Sequence, residues 1–184
     1  AGLDDDDDSV HIYYANNLTS VYGAISANVG TGDLINDVEF SPDSDLLAVS
    51  IGRSGNSGTN GRVLFVDVSD GSVLSQFLNP NNEDRFYDSE FSPDGELIVL
   101  AGNGDFYISN VSSGATVYTI TSPPESVNAI AWSPDGNYIA MCGGWEGGGA
   151  SFDMYQFTGS TWSRIWEKGT TTSCASTDFS HDGS

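Results

Sequence analysis

One four-residue segment recurs along this chain and limits what it can fold into. It reads Phe40-Ser41-Pro42-Asp43, Phe91-Ser92-Pro93-Asp94, Trp132-Ser133-Pro134-Asp135 and Phe179-Ser180-His181-Asp182. The copies stand roughly 40–50 residues apart, a period typical of solenoids and propellers. Each closes a short alternating run, as in Ile35 to Phe40 or Val127 to Trp132. The first three lead into apolar runs, Leu46 to Val49, Leu97 to Leu100 and Tyr138 to Met141. Proline fixes φ for a tight turn, and the Asp-Gly pairs Asp94-Gly95, Asp135-Gly136 and Asp182-Gly183 close it.

A second signature sits inside each period. Asn60-Gly61 followed by Arg62 to Asp67 aligns with Asn103-Gly104 followed by Asp105 to Asn110. A small polar turn comes next, Ser69-Asp70-Gly71 or Ser112-Ser113-Gly114, and then Val73 to Phe77 or Thr116 to Ile120. The third copy is looser: Phe152 to Phe157, Thr158-Gly159-Ser160, then Trp162 to Trp166. Each period therefore predicts four short strands joined by hairpin turns, an all-β chain built as β-propeller blades of four antiparallel strands. A sandwich is the competing fold, and four recurrences of one motif weigh against it.

The segment Phe-Ser-Pro-Asp-Gly, followed by an apolar strand and an Asx-Gly turn, resembles WD-repeat proteins over nearly the whole chain. The chain departs from that pattern where the family carries Trp-Asp at the end of the third strand. Here those positions read Val66-Asp67, Ser109-Asn110 and Tyr155-Gln156. The Gly-His pair before the first strand is absent. The resemblance implies the propeller fold, and it puts the family's buried Asp-His-Ser/Thr-Trp network in doubt.

The register predicts an incomplete propeller, with residues 1–184 forming part of one domain. The expected divisions are a partial blade at 1–35, blades at 36–86, 87–126 and 127–173, and a partial blade at 174–184. Val10 to Tyr14 aligns with Val63 to Asp67 as a third strand without its neighbour, and Val21 to Ile25 follows as a fourth. On this register the expectation is a segment of a longer polypeptide, with a closed four-bladed ring as the alternative. The unpaired edge at Val10 to Tyr14 would meet further blades or a strand from another subunit.

Charge excludes whole classes of partner. Twenty-six acidic side chains face 5 basic ones, a formal net charge of −21. The only lysine is Lys168, and the arginines are Arg53, Arg62, Arg85 and Arg164. Such a surface repels nucleic acid and anionic lipid, so no nucleic acid is expected as partner. No apolar run reaches the length of a membrane span. The balance fits an extracellular or cell-surface protein; the alternative is the cytoplasm of a salt-adapted organism. Cys142 and Cys174 form no metal motif and read as two buried free thiols or as a disulfide between neighbouring blades.

Candidate sites lie on the loops between second and third strands, which vary most in length. One holds Asp4, Asp5, Asp6, Asp7 and Asp8, a solvated acidic loop or a calcium site. No other cofactor is expected. Another holds Trp145 and Glu146 among glycines, where Trp145 is either an exposed anchor for a partner or folded back over the sheets. Asn17-Leu18-Thr19 and Asn110-Val111-Ser112 match the N-glycosylation pattern. The histidines, His11 and His181, stand near no nucleophile motif. The expected function is a non-catalytic module for protein binding or self-assembly, extending to a structural subunit of a filament or surface layer. The alternative is a propeller enzyme, or the propeller half of one, with its catalytic residues elsewhere.

Overall fold

The structure is a computed structural model that describes residues 2–4, 9–21, 25–26, 33–53, 61–80, 85–144, 150–170 and 172–183. Among them every regular element is a strand. The chain divides into two compact units, Ala1–Arg85 and Phe86–Ser184, each described by itself.

The first unit contains β1 (Gly2–Asp4), β2 (Ser9–His11) and β3 (Ile25–Ser26), paired in that order. It also contains an antiparallel four-stranded sheet of β4 (Asp33–Phe40), β5 (Leu46–Arg53), β6 (Arg62–Asp67) and β7 (Val73–Leu78), again in chain order. Burial peaks in the two middle strands of this sheet, β5 and β6. Val63, Leu64, Phe65 and Val66 in β6 are all buried, on both faces, whereas only Phe77 of β7 is. That gradient explains the patterning: inner strands read as continuous apolar runs and the outer strand as mixed. Leu47, Val49, Ile51, Leu64 and Val66 pack with Val10, Ile12 and Ile25 in one apolar cluster.

The second unit repeats the scheme twice. Its strands are β8 (Phe86–Phe91), β9 (Leu97–Asn110), β10 (Thr116–Trp132), β11 (Tyr138–Gly143), β12 (Ala150–Phe157) and β13 (Trp162–Thr170). β9 pairs with β8 through Ile98 to Gly102 and with β10 through Asn103 to Ser109, so it supplies two strands of one sheet. β10 likewise leaves the β9 ladder after Ser126 and joins β11 from Val127 to Trp132. The six-stranded order β13-β12-β11-β10-β9-β8 is thus two successive four-stranded sheets. The ladders give three four-stranded antiparallel sheets of the propeller-blade kind. No sheet closes on itself among the described residues.

The recurring segment supplies the joint in all three sheets. Ser41 Oγ donates to Asp43 Oδ1 at 2.6 Å and accepts the Leu46 N–H at 2.9 Å. Ser92 does the same with Asp94 and Leu97, and Ser133 with Asp135 and Tyr138. The fourth residue of the turn carries positive φ each time: Ser44 at 64°, Gly95 at 72° and Gly136 at 76°. A second bond recurs after each third strand: Val68 to Asp45, Val111 to Glu96 and Phe157 to Asn137, N–H to carbonyl.

Several expectations need correction. Val10 has a neighbour within the chain, because β1 pairs with β2 in the register Leu3↔Val10. Sequence reading missed it because Gly2 to Asp4 is short and runs directly into the aspartates. The motif does not fix the burial of its aromatic residue: Phe91 and Trp132 are buried, while Phe40 and Phe179 are half-buried. The stretch before Phe179 joins no ladder, although its turn keeps the Ser180 Oγ to Asp182 Oδ1 bond at 2.8 Å. The turn needs only local partners, whereas a strand needs a neighbouring one.

Candidate functional site

The third period carries a dense group of aromatic side chains. Trp132 ends β10, and Phe157 and Trp162 face each other across the turn between β12 and β13. Trp132 and Trp162 meet edge to face at 5.6 Å, and Phe157 packs on Trp162 at 5.4 Å. Tyr118, from the preceding sheet, meets Phe157 at 5.9 Å, also edge to face. Such pairs add about 0.5–1.5 kcal/mol each beyond the area they bury. The corresponding positions one period earlier hold Phe91 and Val111, so the cluster belongs to one pair of sheets.

These rings wall a surface cavity of about 340 Å³. Leu97, Val117 and the two motif prolines extend its apolar lining, and Ser92, Asp94 and Asp135, from two successive motif turns, line it on the polar side. Hydrogen bonds from the Ser133 hydroxyl and then from Asn137 lower the Asp135 pKa to about 2. The Ser92 hydroxyl and the Glu96 N–H hold Asp94 below the ordinary range in the same way. Both groups therefore carry full charge at neutral pH. The Trp132 indole N–H donates to the Gly136 carbonyl at 3.1 Å. The Trp162 Nε1 is buried without a hydrogen-bond partner.

A second group of ionisable side chains lies on β12 and β13. Asp153 is fully buried and accepts from Ser151 Oγ at 3.2 Å and from Arg164 at 3.4 Å. Burial pushes its carboxyl up, against those two contacts. Tyr155 is pushed to about 12, first by burial and then by the Asp153 charge. Arg164 also meets Glu167 at 3.2 Å, an exposed contact that adds little to stability.

The residues singled out from sequence do not converge on one place. Asp4 is the last residue of β1, opposite Ser9, while Asp5, Asp6, Asp7 and Asp8 lie outside the described residues. Trp145 and Glu146 also lie outside them. Asn17 stands exposed between β2 and β3, its Oδ1 accepting from the Thr19 N–H at 3.0 Å and hydroxyl at 2.7 Å. Asn110 is tied more closely: its Oδ1 accepts from Ser112 and Ser113, and its Nδ2 reaches the Glu96 carbonyl. Cys142, on β11, and Cys174 are joined as a disulfide with Cα atoms 5.6 Å apart. Asn128 Nδ2 sits beside it, donating to the Gly144 and Cys174 carbonyls at 3.1 Å each.

Among the described residues no three His, Cys, Asp or Glu side chains group so as to hold a metal ion. No helix among them is long and apolar enough to cross a membrane. The cavity was not foreseen from sequence. Its signal was the replacement of Phe and Val by Trp and Phe in one period only.

Sheets of this kind, joined by this turn, are those of propeller blades, and the chain is similar to WD-repeat proteins. The family model described as WD domain, G-beta repeat matches residues 114–148, which take in β10 and β11. An uncharacterized WD repeat-containing protein of Synechocystis sp. is 25% identical over 115 residues, covering 62% of this chain. The match covers 30% of that protein's own length.

Proposed function

We propose that this chain is a non-catalytic module that binds or assembles with another protein, at the cell surface or outside the cell. The WD-repeat-like array of four-stranded sheets carries this reading, because it presents a rigid surface on which turns and clefts can hold a partner. The groups that line the cavity fit binding better than chemistry. Ser92 Oγ and the Asp94 and Asp135 Oδ1 atoms are all engaged in holding their own turns. The Cys142–Cys174 disulfide supports an oxidising location, since such bonds are rare in the cytosol. The net charge of −21 favours a partner with a basic surface.

Cross-linking of the native protein on intact cells, followed by mass spectrometry, tests the reading. Cross-links to a second protein, or between copies of the same protein, are expected. Recovery of the protein only as an uncross-linked cytoplasmic monomer would overturn it.

A further inference from the structure

We propose that the cavity between the two sheets of residues 86–170 receives an arginine side chain of the partner protein, its stem along the rings and its guanidinium between Asp94 and Asp135. This deepens the binding-module reading and rests on it.

Three observations point to that occupant. The first is charge complementarity: two carboxylates lie in the lining, and no lysine or arginine is among the lining residues. The chain itself supplies only 5 basic side chains against 26 acidic ones, so the missing cation is expected from outside. The second is the mixed lining. Arginine joins an apolar stem to a planar cation, and Leu97, Val117 and Tyr118 offer the stem a surface beside the carboxylates. Guanidinium also binds carboxylates in a fixed planar fork, which an ammonium group does not. The third is the Trp162 Nε1. Trp162 is 8% exposed, lines the cavity, and leaves this donor without an acceptor. A buried donor in that state is destabilising until it finds an acceptor. A backbone carbonyl of the incoming peptide is the acceptor that would relieve it.

A neutral sugar is the competing ligand for an aromatic site with carboxylates. Sugars stack on an open ring face, and the two tryptophans leave none, being 6% and 8% exposed and set at 85° to each other. The arrangement is a slot rather than a platform, and it suits a thin planar group.

The test follows the indole N–H resonances of Trp132 and Trp162 during titration of the intact chain. The probes are the capped tripeptide Gly-Arg-Gly, its citrulline counterpart, which is isosteric but neutral, and cellotetraose. The arginine peptide is expected to shift both resonances saturably and to bind at least about tenfold more tightly than the citrulline peptide. The double variant Asp94→Asn/Asp135→Asn keeps the Oδ1 acceptors that hold the turns and removes both charges, together with the bond from Asn137 Nδ2 to Asp135 Oδ2. It should lose roughly that tenfold preference. Val117→Lys, at a site 47% exposed, places a resident cation at the cavity without touching either turn and should weaken the arginine peptide by a similar factor.

Equal affinity for the arginine and citrulline peptides would overturn the inference. So would shifts produced by cellotetraose alone, or no shift with any probe. Cross-linking of the variants separates this inference from the reading beneath it. A partner complex unaffected by both variants overturns the arginine site and leaves the binding module standing. Arginine binding by a protein that forms no complex in cells overturns the module.

Discussion

The sheet of residues 33–78 and the sheet that runs from Val127 to Thr170 are built on one hydrogen-bonded frame and filled with different side chains. Both turn through Ser-Pro-Asp with the same Ser-to-Asp and N–H-to-Ser bonds, and both close the third strand on the carbonyl before the second. One face of the first is packed mainly with Leu, Ile and Val, with Phe65 and Phe77 also buried in the sheet; the second carries Trp132, Tyr155, Phe157 and Trp162 around Ile139 and Met141. The first holds no cysteine, and the second is tied to the segment beyond it by Cys142–Cys174. Its turn has Gly136 where the first has Ser44, both at positive φ. A few turn residues thus specify the frame, while the fill between strands is free to vary. The variation gathers where the cavity lies.

The largest effect should come from the fill. Trp132→Ala removes a buried ring and should destabilise by about 3–5 kcal/mol. Phe40→Ala, at the equivalent but half-buried position, should cost roughly half as much. Urea unfolding of the two variants measures the difference, and equal losses would break the comparison.

The disulfide comes next. It closes a loop of 32 residues, for which chain entropy predicts about 3–4 kcal/mol. The variant Cys142→Ala/Cys174→Ala should lower stability by about that amount. Hydrogen exchange in β11 and β12 should rise with it, because those strands lie on the tied side.

The frame should respond alike in both sheets. Ser41→Ala and Ser133→Ala each remove a buried hydroxyl and leave an N–H, of Leu46 or Tyr138, without its acceptor. Each should cost about 1–3 kcal/mol, the two agreeing within about 0.5. The carboxylates add a sign. The folded Asp135 pKa, near 2, lies below its ordinary 3.8. Its contribution to stability is therefore present above pH 4 or so and lost as pH falls toward 2. Asp43 and Asp94 are lowered in the same direction. In Ser133→Ala the Asp135 carboxyl should titrate closer to 3.8, which carbon-detected NMR follows directly.

The smallest effect is at the fourth turn residue. An added Cβ at Gly136 meets nothing closer than Pro93 at 4.0 Å, so Gly136→Ala tests backbone conformation alone. It should cost about 1–2 kcal/mol, and Ser44→Gly should gain roughly 0.5–1. A gain from Gly136→Ala would contradict the shared turn geometry.

What could be seen in the sequence follows from how local each feature is. The Ser-Pro-Asp turn closes on itself within five residues, so its chemistry is written in one short segment and all three sheets show it. The β1–β2 pairing is also close in sequence but carries no motif, and Leu3 among aspartates gives little signal. Phe40 and Phe179 share their motif with Trp132, yet burial depends on what lies across from them, which the motif does not contain. The cavity joins Asp94, Tyr118, Trp132 and Trp162 from two periods, and only the stacking of one sheet on the next brings them together. Trp145, Glu146 and Asp4 to Asp8 are the candidates the sequence offers because their loops differ in length. The cavity came instead from substitution inside a constant frame.

The shared register is the account's central claim, and backbone proton contacts across strands test it most directly. Glu39 and Ala48, Glu90 and Val99, and Ala131 and Ala140 are Cα partners in the three successive sheets. Nuclear Overhauser spectra of the isotope-labelled chain should show cross-strand contacts at all three pairs, each at the same distance from its Ser-Pro-Asp turn. Contacts offset by one residue in any sheet, or partners drawn from opposite layers of a sandwich, would contradict the propeller-blade architecture and the cavity built on it.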